Sequence, residues 1–368
     1  MRKSFKYRIY PTKAQAEQLE TTLNLCCELY NAALQERREA YKLKRVSLSA
    51  YDQMKELPEV KSARNDLHDV YSQVLCNTLQ RLDKAYKAFF QRVKSGKSKV
   101  GFPRFRSIKR YGSFTYPQVG FVIREKSTVL CKIGEVRCEF HRKIEGVIKT
   151  CTVKREANEW YVIFSCDAVP EKPQPKTGEE IGIDVGLENF ATLSNGEMVP
   201  NPRHAKKAKA KLRRAQRKLA RAKKGSQRRK KQVMRVAKQH LKIKRQRQDF
   251  HFKVAAQLVH RFDVIHFEKL NIRNMVQNHR LAFSISDAAW YQFQQIVAFK
   301  AEEAGKQLTF SDARNTSNKC SISGEIKKKP LSQRFHVFPN GEKIHRDHNA
   351  ALNILRRGQR RQSATEVL

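Results

Sequence analysis

Apolar and polar residues alternate over residues 4 to 10, Ser-Phe-Lys-Tyr-Arg-Ile-Tyr, and this period of two predicts a strand that Pro11 ends. Thr12 and Gln15 then form a capping box. The period becomes helical from 13 to about 45, through Leu19, Leu23, Cys26, Leu29, Tyr30 and Ala33. A second helical stretch is predicted from about 62 to 94, through Leu67, Val70, Val74, Leu75, Leu79, Leu82, Tyr86 and Phe89. The two describe a helical unit inserted after the first strand. Ser95-Gly96-Lys97 opens a loop that runs on through Gly101-Phe102-Pro103-Arg104-Phe105-Arg106. From 112 to 168 strands return: 121–123, 128–130, 136–140, and a hairpin of 150–154 with 160–165 across Glu156-Ala157-Asn158-Glu159. Short strands at this spacing predict a small barrel completed by the N-terminal strand.

Pro170 to Thr177, with Pro173 and Pro175, reads as a linker. Two apolar strands follow, near 180–185 and 190–194. Residues 203 to 247 hold 22 Lys or Arg and no acid. Leu212, Ala215, Leu219 and Ala222 at helical spacing predict a helix pair broken at Gly225-Ser226 rather than disorder. A strand (263–267), a helix (287–305) and a strand (307–310) come next. The class is α+β and multidomain, and strand–helix alternation with acids at strand ends is compatible with an RNase H-like core.

Charge narrows the partners. Lys and Arg number 76 against 35 Asp and Glu, a formal net charge of +41. Such a surface repels itself and calls for a polyanion, and nucleic acid is the obvious one. No apolar run of about 18 residues, lipidation signal or signal-peptide core is found, so no membrane partner is expected. Eight scattered cysteines without a C-x-x-C pair indicate packing thiols in a reduced, cytoplasmic chain.

Three acids suggest chemistry. Asp184 lies in Ile183-Asp184-Val185-Gly186, Glu268 ends the run Val264-Ile265-His266-Phe267, and Asp347 precedes the helical pattern of 350–355. An acid at the end of a buried strand is costly unless a cation compensates it. Three of them in a chain this basic predict a carboxylate cage for Mg²⁺, or Mn²⁺ in its place, of the kind that hydrolyses phosphodiesters. Each acid alone is equally a surface or capping residue, Asp347 above all. Phe102, Phe105, Tyr111, Phe114 and Tyr116 alternate with Arg104, Arg106, Lys109 and Arg110. They serve either as base-stacking rings, Phe102 and Phe105 foremost, or as barrel core. Arg213, Arg214, Arg217 and Lys218 are the candidate RNA contacts in the basic stretch.

Motifs along nearly the whole length are similar to those of the TnpB family, insertion-sequence-encoded RNA-guided DNA nucleases related to type V CRISPR effectors. They include Tyr10-Pro11-Thr12, Tyr30-Asn31, Pro103-Arg104-Phe105, Ser113-Phe114, Gly182-Ile183-Asp184-Val185-Gly186 and Phe267-Glu268-Lys269-Leu270-Asn271. Lys300-Ala301-Glu302, Thr316-Ser317 and the run from Arg346 to Ile354 complete the order. The resemblance implies a wedge β-barrel (1–10 and 96–172), a helical recognition unit (11–95) and a RuvC-like nuclease domain (178–368). It implies a transposon-end guide RNA, a double-stranded DNA target read beside a short adjacent motif, and a prokaryotic cytosolic, nucleoid-associated location. It places Asp184, Glu268 and Asp347 as the metal-binding catalytic triad. The alternative is a non-cleaving RNA-guided repressor, which loss of an acid would favour; no recombinase constellation supports a transposase proper.

One departure concerns zinc. Relatives carry a four-cysteine site before the last acid. In the degenerate insert here (314–345) only Cys320 remains, with Ser323, Val337 and Asn340 at the other positions. No structural zinc is expected, because Ser and Asn are poor ligands and Val is none. The segment is expected to be a hairpin held by Phe335, Val337 and Phe338, the lesser alternative being zinc recruited by Cys320 with His336, His345 and His348. His345 is given no role, and Asn349 either supports the site or caps the helix.

Overall fold

A computed structural model describes residues 1–96, 100–326, 330, 333–338 and 341–366, the last six by backbone alone. Lys97 of the predicted loop and Asn340 of the degenerate zinc motif lie outside the described residues. The chain divides into two compact units, Met1–Pro170 and Glu171–Leu368.

In the first unit, β1 (Lys3–Tyr10) leads into α1 (Lys13–Lys44). The capping box forms: the Thr12 hydroxyl accepts from the Gln15 amide at 3.3 Å, and Gln15 Oε1 accepts from the Thr12 amide at 3.0 Å. A short α2 (Ala50–Lys55) follows, and the predicted second helix of about 62–94 is broken into the end of α3 (Leu57–Ala63), a 3₁₀ turn and α4 (Ser72–Lys94). Pro58 starts α3, and Arg64 donates to the Asp66 carboxylate at 2.7 and 3.0 Å, a local bond that competes with helix continuation. Leu19, Leu23 and Cys26 of α1 and Leu75, Leu79 and Leu82 of α4 are buried in one core. Replacing one of these leucines by Ala should cost about 2–5 kcal/mol.

The remaining strands are β2 (Ser113–Tyr116), β3 (Phe121–Ile123), β4 (Ser127–Leu130), β5 (Gly134–Glu139), β6 (Val147–Glu156) and β7 (Glu159–Asp167). With β1 they form one antiparallel sheet in the order β2-β6-β7-β1-β5-β4-β3. Laid flat, its edges would stand about 29 Å apart at about 4.8 Å per strand. Yet edge residues Tyr116 and Phe121 are joined by five peptide links, which reach at most about 19 Å. The sheet must therefore curl into a nearly closed form. The Tyr116 and Phe121 rings, at 6.5 Å, meet across the seam. Tyr111, Phe114 and Tyr116 are core, whereas Phe102 and Phe105 are 42% and 48% exposed, so the aromatic run divides between its two readings.

The second unit begins with the predicted linker, which is not free. Lys172 and Gln174 donate backbone bonds to Glu303 and Ala304, Lys306 Nζ donates to the Pro175 carbonyl, and the Thr177 and Gly178 amides donate to Asp263 Oδ2. β8 (Glu180–Val185), β9 (Asn189–Leu193) and β10 (Met198–Pro200) form an antiparallel meander. α5 (His204–Ala220) and α6 (Gln227–Arg261) follow, broken where the sequence predicts, with Ser226 capping α6. Then come β11 (Val264–Glu268), short helices α7 (Ile272–Met275) and α8 (Ala282–Ala288), α9 (Trp290–Ala304) and β12 (Gln307–Ser311). β11 joins β8 and β12 in parallel, giving the order β10-β9-β8-β11-β12. β13 (Phe335–Val337) pairs with β14 (Lys343–His345), and α10 (Arg346–Glu366) closes the fold. The hairpin forms, but His336 and Phe338 are its buried residues while Phe335 and Val337 are exposed. The period of two corrects the expected holding set: only Phe338 of it faces inward.

Candidate functional site

Strand period and register assemble the acidic site. On β8, Ile181 and Ile183 enter the core shared with α6 and α9, so Gly182 and Asp184 take the opposite face. On β11, Ile265 and Phe267 do the same, leaving His266 and Glu268 opposite. The parallel register pairs Ile181 with Ile265, Gly182 with His266 and Ile183 with Phe267. One step further, Asp184 and Glu268 stand on neighbouring strands, about 4.8 Å apart in the sheet direction.

α10 brings the third acid. A Cβ at Gly182 would collide with the Ala351 carbonyl and lie 2.6 Å from the Leu355 amide. One at Gly358 would run into the His266 ring. The helix therefore lies directly on β8 and β11, and only glycine allows the approach. Asp347, in its first turn, sits where its Oδ2 would be 3.8 Å from a Cβ at Gly186, two residues beyond Asp184. The His348 ring nitrogen Nε2 reaches the Ser194 carbonyl at 3.1 Å and pins the same helix end to the β9–β10 turn.

The electrostatics are those of crowded acids. Burial pushes the Asp184 carboxyl well above the usual range, and the charges of Glu268 and Asp347 push it further, against a smaller pull from Arg346. Asp184 as a residue is half-buried, and its carboxyl group is crowded by protein. Burial also raises Glu268, partly offset by the Thr316 hydroxyl and the Arg357 charge. The repulsion thus falls mainly on Asp184. Glu268 is 7% exposed, and its Oε1 is buried with no hydrogen-bond partner among the described residues. Such an orphaned carboxylate oxygen costs a few kcal/mol unless something cationic meets it. Among the described residues no three His, Cys, Asp or Glu side chains close tightly enough to hold an ion between them. The donor set is nonetheless one of hard carboxylate oxygens, suited to Mg²⁺ or Mn²⁺.

Asparagines fasten the site's flank, the supporting role weighed for Asn349 and one the sequence did not announce for Asn353. Asn349 Oδ1 accepts from the Ser321 amide at 2.9 Å, and its Nδ2 donates to the Lys319 carbonyl at 2.8 Å. Asn353 Nδ2 donates to the carbonyls of Thr316 and Lys319 at 2.9 and 2.7 Å. Both side chains are buried, so Asn349 ties the insert to α10 rather than capping the helix. The held segment is a knuckle in which the Ser323 amide donates to Cys320 Sγ at 3.3 Å. Burial raises that thiol, but the Ser323 hydroxyl and the amides of 322–324 outweigh it and lower it overall. His348 points to Ser194, and His345 Nδ1 accepts from the Asp347 amide at 3.3 Å and lies 3.9 Å from Asp347 Oδ2.

The basic candidates stand on a helix pair that buries little of its length. α5 buries no residue, and α6 buries only Gln232 and Ile243 before His251. Arg213, Arg214, Arg217 and Lys218 are all exposed on α5. Phe105 sits under the Arg38 guanidinium at 5.5 Å, and Phe102 packs edge-on to Tyr86 and Phe89 at 5.4 and 5.0 Å. No described helix is long and apolar enough to cross a membrane.

Comparison with known proteins fits this geometry. A family profile described as "Probable transposase" matches residues 146–279, which contain Asp184 and Glu268, and one described as "Cas12f1-like, TNB domain" matches 290–354, which contain Asp347. A third, described as "Helix-turn-helix domain", matches 1–45, where the structure has one strand and one continuous helix, β1 and α1. A Streptomyces pristinaespiralis protein named "Putative RNA-guided DNA endonuclease" is 34% identical, over 97% of this chain and 90% of its own. "Putative RNA-guided DNA endonuclease InsQ" of Escherichia coli (strain K12) is 28% identical, over 96% and 92%. A Cas12f1 chain, solved by cryo-EM with sgRNA and target DNA, shares the fold with a TM-score of 0.59 at 13% identity, over 96% of this chain and 98% of its own. With a relative this similar along almost its entire length, the chain belongs to the TnpB family.

Proposed function

We propose that this chain is an RNA-guided DNA endonuclease of a transposable element. It cuts double-stranded DNA beside a short transposon-associated motif, using a guide RNA from the transposon end. The observation that carries the reading is the convergence of Asp184, Glu268 and Asp347 on one face of the β8–β11 pair, with a buried Glu268 oxygen left unpartnered. A site that hydrolyses phosphodiesters must stabilise negative charge, and acids alone would do the reverse. These three residues carry the hard oxygen donors that Mg²⁺, or Mn²⁺, would take once their side chains draw closer than they stand here, and the ion would then supply the Lewis-acid chemistry of phosphodiester hydrolysis. The mixed sheet order and its helix-borne third acid support a RuvC-like, RNase H-type nuclease domain over 178–368.

The other surfaces take matching roles. The curled sheet of 1–10 and 96–172 acts as the wedge barrel, and 11–95 as the recognition unit. Arg213, Arg214, Arg217 and Lys218 grip RNA phosphates, and Phe102 and Phe105 offer faces for bases. Target sequence is read by guide pairing. One site cuts the two strands in turn. The presence of all three acids favours cleavage over repression. The insert is proposed to hold without zinc, and the complex to work in a prokaryotic cytosol on nucleoid DNA.

The test is to co-express the chain with its transposon end, sequence the RNA that co-purifies, and assay guided cleavage with Mg²⁺ and with EDTA. A discrete transposon-end RNA and Mg²⁺-dependent double-strand breaks at guide-matched DNA are expected. Guided binding without cleavage at any Mg²⁺ or Mn²⁺ concentration would instead make it a repressor.

A further inference from the structure

The hairpin of β13 and β14 is built inside out. His336 and Phe338 are buried, whereas Phe335 and Val337 are 54% and 44% exposed. A strand that turns a histidine inward and a phenylalanine to water forgoes the apolar burial of the opposite register. One exposed ring is ordinary on a protein surface. This one is set apart by what stands behind it. Phe335 pairs across the hairpin with His345, so the two share a face, and their rings meet edge-on at 5.9 Å. His345 Nδ1 in turn lies 3.9 Å from Asp347 Oδ2. The Arg346 amide donates to the Arg334 carbonyl at 2.7 Å, which fixes the hairpin to the first turn of α10. Phe335 is thereby held within about three nucleotides of Asp347, at roughly 3.4 Å per nucleotide of strand. Lys343, exposed beside Val337, adds a cation to the same face. Arg334 is paired with Glu188 at 3.0 Å, and Arg346 donates to the Pro330 carbonyl and the Ser317 hydroxyl at 3.1 and 3.2 Å. What this face offers beside the acid is therefore a flat apolar ring rather than a free guanidinium.

We propose that Phe335 stacks one base of the displaced, unpaired DNA strand, next to the bond to be cut. A base inside a duplex has both faces covered by its neighbours, whereas a base of an unwound strand has a face to give. The stack holds the adjoining phosphate at Asp184, Glu268 and Asp347, while guide pairing holds the other strand. The inference rests on the nuclease reading above and adds to it the side chain that positions the strand.

The test uses the full chain with its co-purified RNA and a guide-matched DNA whose displaced strand carries one abasic nucleotide, moved stepwise past the cut bond. An abasic nucleotide keeps the phosphates and removes the base. For the wild type, one position within about three nucleotides of the cut should slow single-turnover cleavage of that strand about 5- to 100-fold, as expected for one lost stacked base. Phe335→Ala should slow cleavage of intact DNA by the same factor and show no further loss at that position, while guided binding stays unchanged. Phe335→Trp should restore cutting and Phe335→Leu should not, because a flat face rather than apolar bulk is required. The ring is exposed, so the melting midpoint of each variant should stay within about 2 °C of the wild type. Wild-type cutting by Phe335→Ala or Phe335→Leu, or a flat abasic scan in the wild type, overturns the stack. Should the alanine variant fail to fold, the wild-type scan decides alone. A wild type that cuts no DNA at any Mg²⁺ or Mn²⁺ concentration overturns the nuclease reading, and the inference with it.

Discussion

The α5–α6 pair and the acidic face of the β8–β11 strands belong to one unit and are electrostatic opposites. Residues 203–247 hold 22 cations and no acid, almost all of them in water. The acidic face holds three carboxyl groups close enough to raise Asp184, with Glu268 buried. Exposed cations keep their hydration, so their repulsion is weak, spread out and screened by salt. Crowded, half-dry acids keep little hydration, so one of them is pushed toward its neutral form. The first region needs a long, diffuse anion and the second a small, dense cation. Under the proposed function the two regions would serve different steps, grip and cutting, of one reaction on nucleic acid.

Breaking the acidic side should have the largest effect. Asp184→Ala, Glu268→Ala and Asp347→Ala should each lower cleavage by at least about 10³-fold, while guided DNA binding stays within about threefold. The same changes relieve repulsion, so Asp184→Ala should raise the melting midpoint of the metal-free protein by a few degrees. Mg²⁺ should stabilise the wild type and not this variant, because a ligand that binds only the folded site stabilises it. Wild-type cutting by any one variant would remove that residue from the site. An Asp184→Ala protein that melts lower would argue against crowding.

On the basic side, neutralising Arg213, Arg214, Arg217 and Lys218 together should weaken RNA binding about 100-fold near physiological salt. Each lost phosphate contact should flatten the log–log salt slope by roughly 0.7 to 0.9. RNA affinity measured at several salt concentrations checks this. An unchanged slope, with target binding alone impaired, would move these cations to the guide–target duplex.

Residue pattern made half of each region legible. The apolar runs leading to Asp184 and Glu268 marked both as strand-end acids, and the absence of acids in 203–247 exposed the basic pair. What brings Asp347 to the other two acids is the seating of α10 on β8 and β11, allowed by Gly182 of β8 and by Gly358 of the helix itself, which are far apart in sequence and silent in a hydropathy pattern. Long-range backbone bonds were hidden for the same reason: the predicted linker is strapped down by Asp263 and Lys306, which lie more than 80 residues away along the chain. Local side-chain bonding by Arg64 and Asp66 broke a helix that apolar spacing alone ran through.

A buried histidine provides a smaller test of the core shared by both regions. His251 of α6 is 1% exposed, bonds the Ala288 carbonyl at 3.0 Å and lies against Phe190; burial lowers it to about 4. The unfolded chain, with an ordinary imidazole near 6.5, binds the proton first as pH falls. Stability is therefore full above about pH 6.5 and is lost as pH drops toward 4. Between pH 8 and pH 5 this residue should remove about 2 kcal/mol, read from denaturant melts. His251→Gln should flatten that portion of the profile, and an equal slope in both proteins would show that another group controls it.

The smallest expected effect is that of zinc, and its reason lies in the asparagines. In the insert the Cys320 knuckle still directs backbone amides at a sulfur, yet Ser323 is exposed, Val337 cannot ligate, and His345 and His348 are engaged elsewhere. Asn349 and Asn353 supply four hydrogen bonds from α10 to residues 316–321, so the segment is held by the helix that carries Asp347. Buried amide bonds of this kind contribute about 0.5–1.5 kcal/mol each, and leaving a partner unsatisfied costs about 1–3. EDTA dialysis should thus leave the melting midpoint unchanged, elemental analysis should find no stoichiometric zinc, and Cys320→Ser should be nearly neutral. Asn353→Ala, by contrast, leaves the buried Thr316 carbonyl without its bond and takes one of two bonds from the Lys319 carbonyl, and should lower stability by about 2 kcal/mol. About one zinc per chain, lost together with stability on Cys320→Ser, would reverse the assignment and make the metal, not the asparagines, the fastening of the insert.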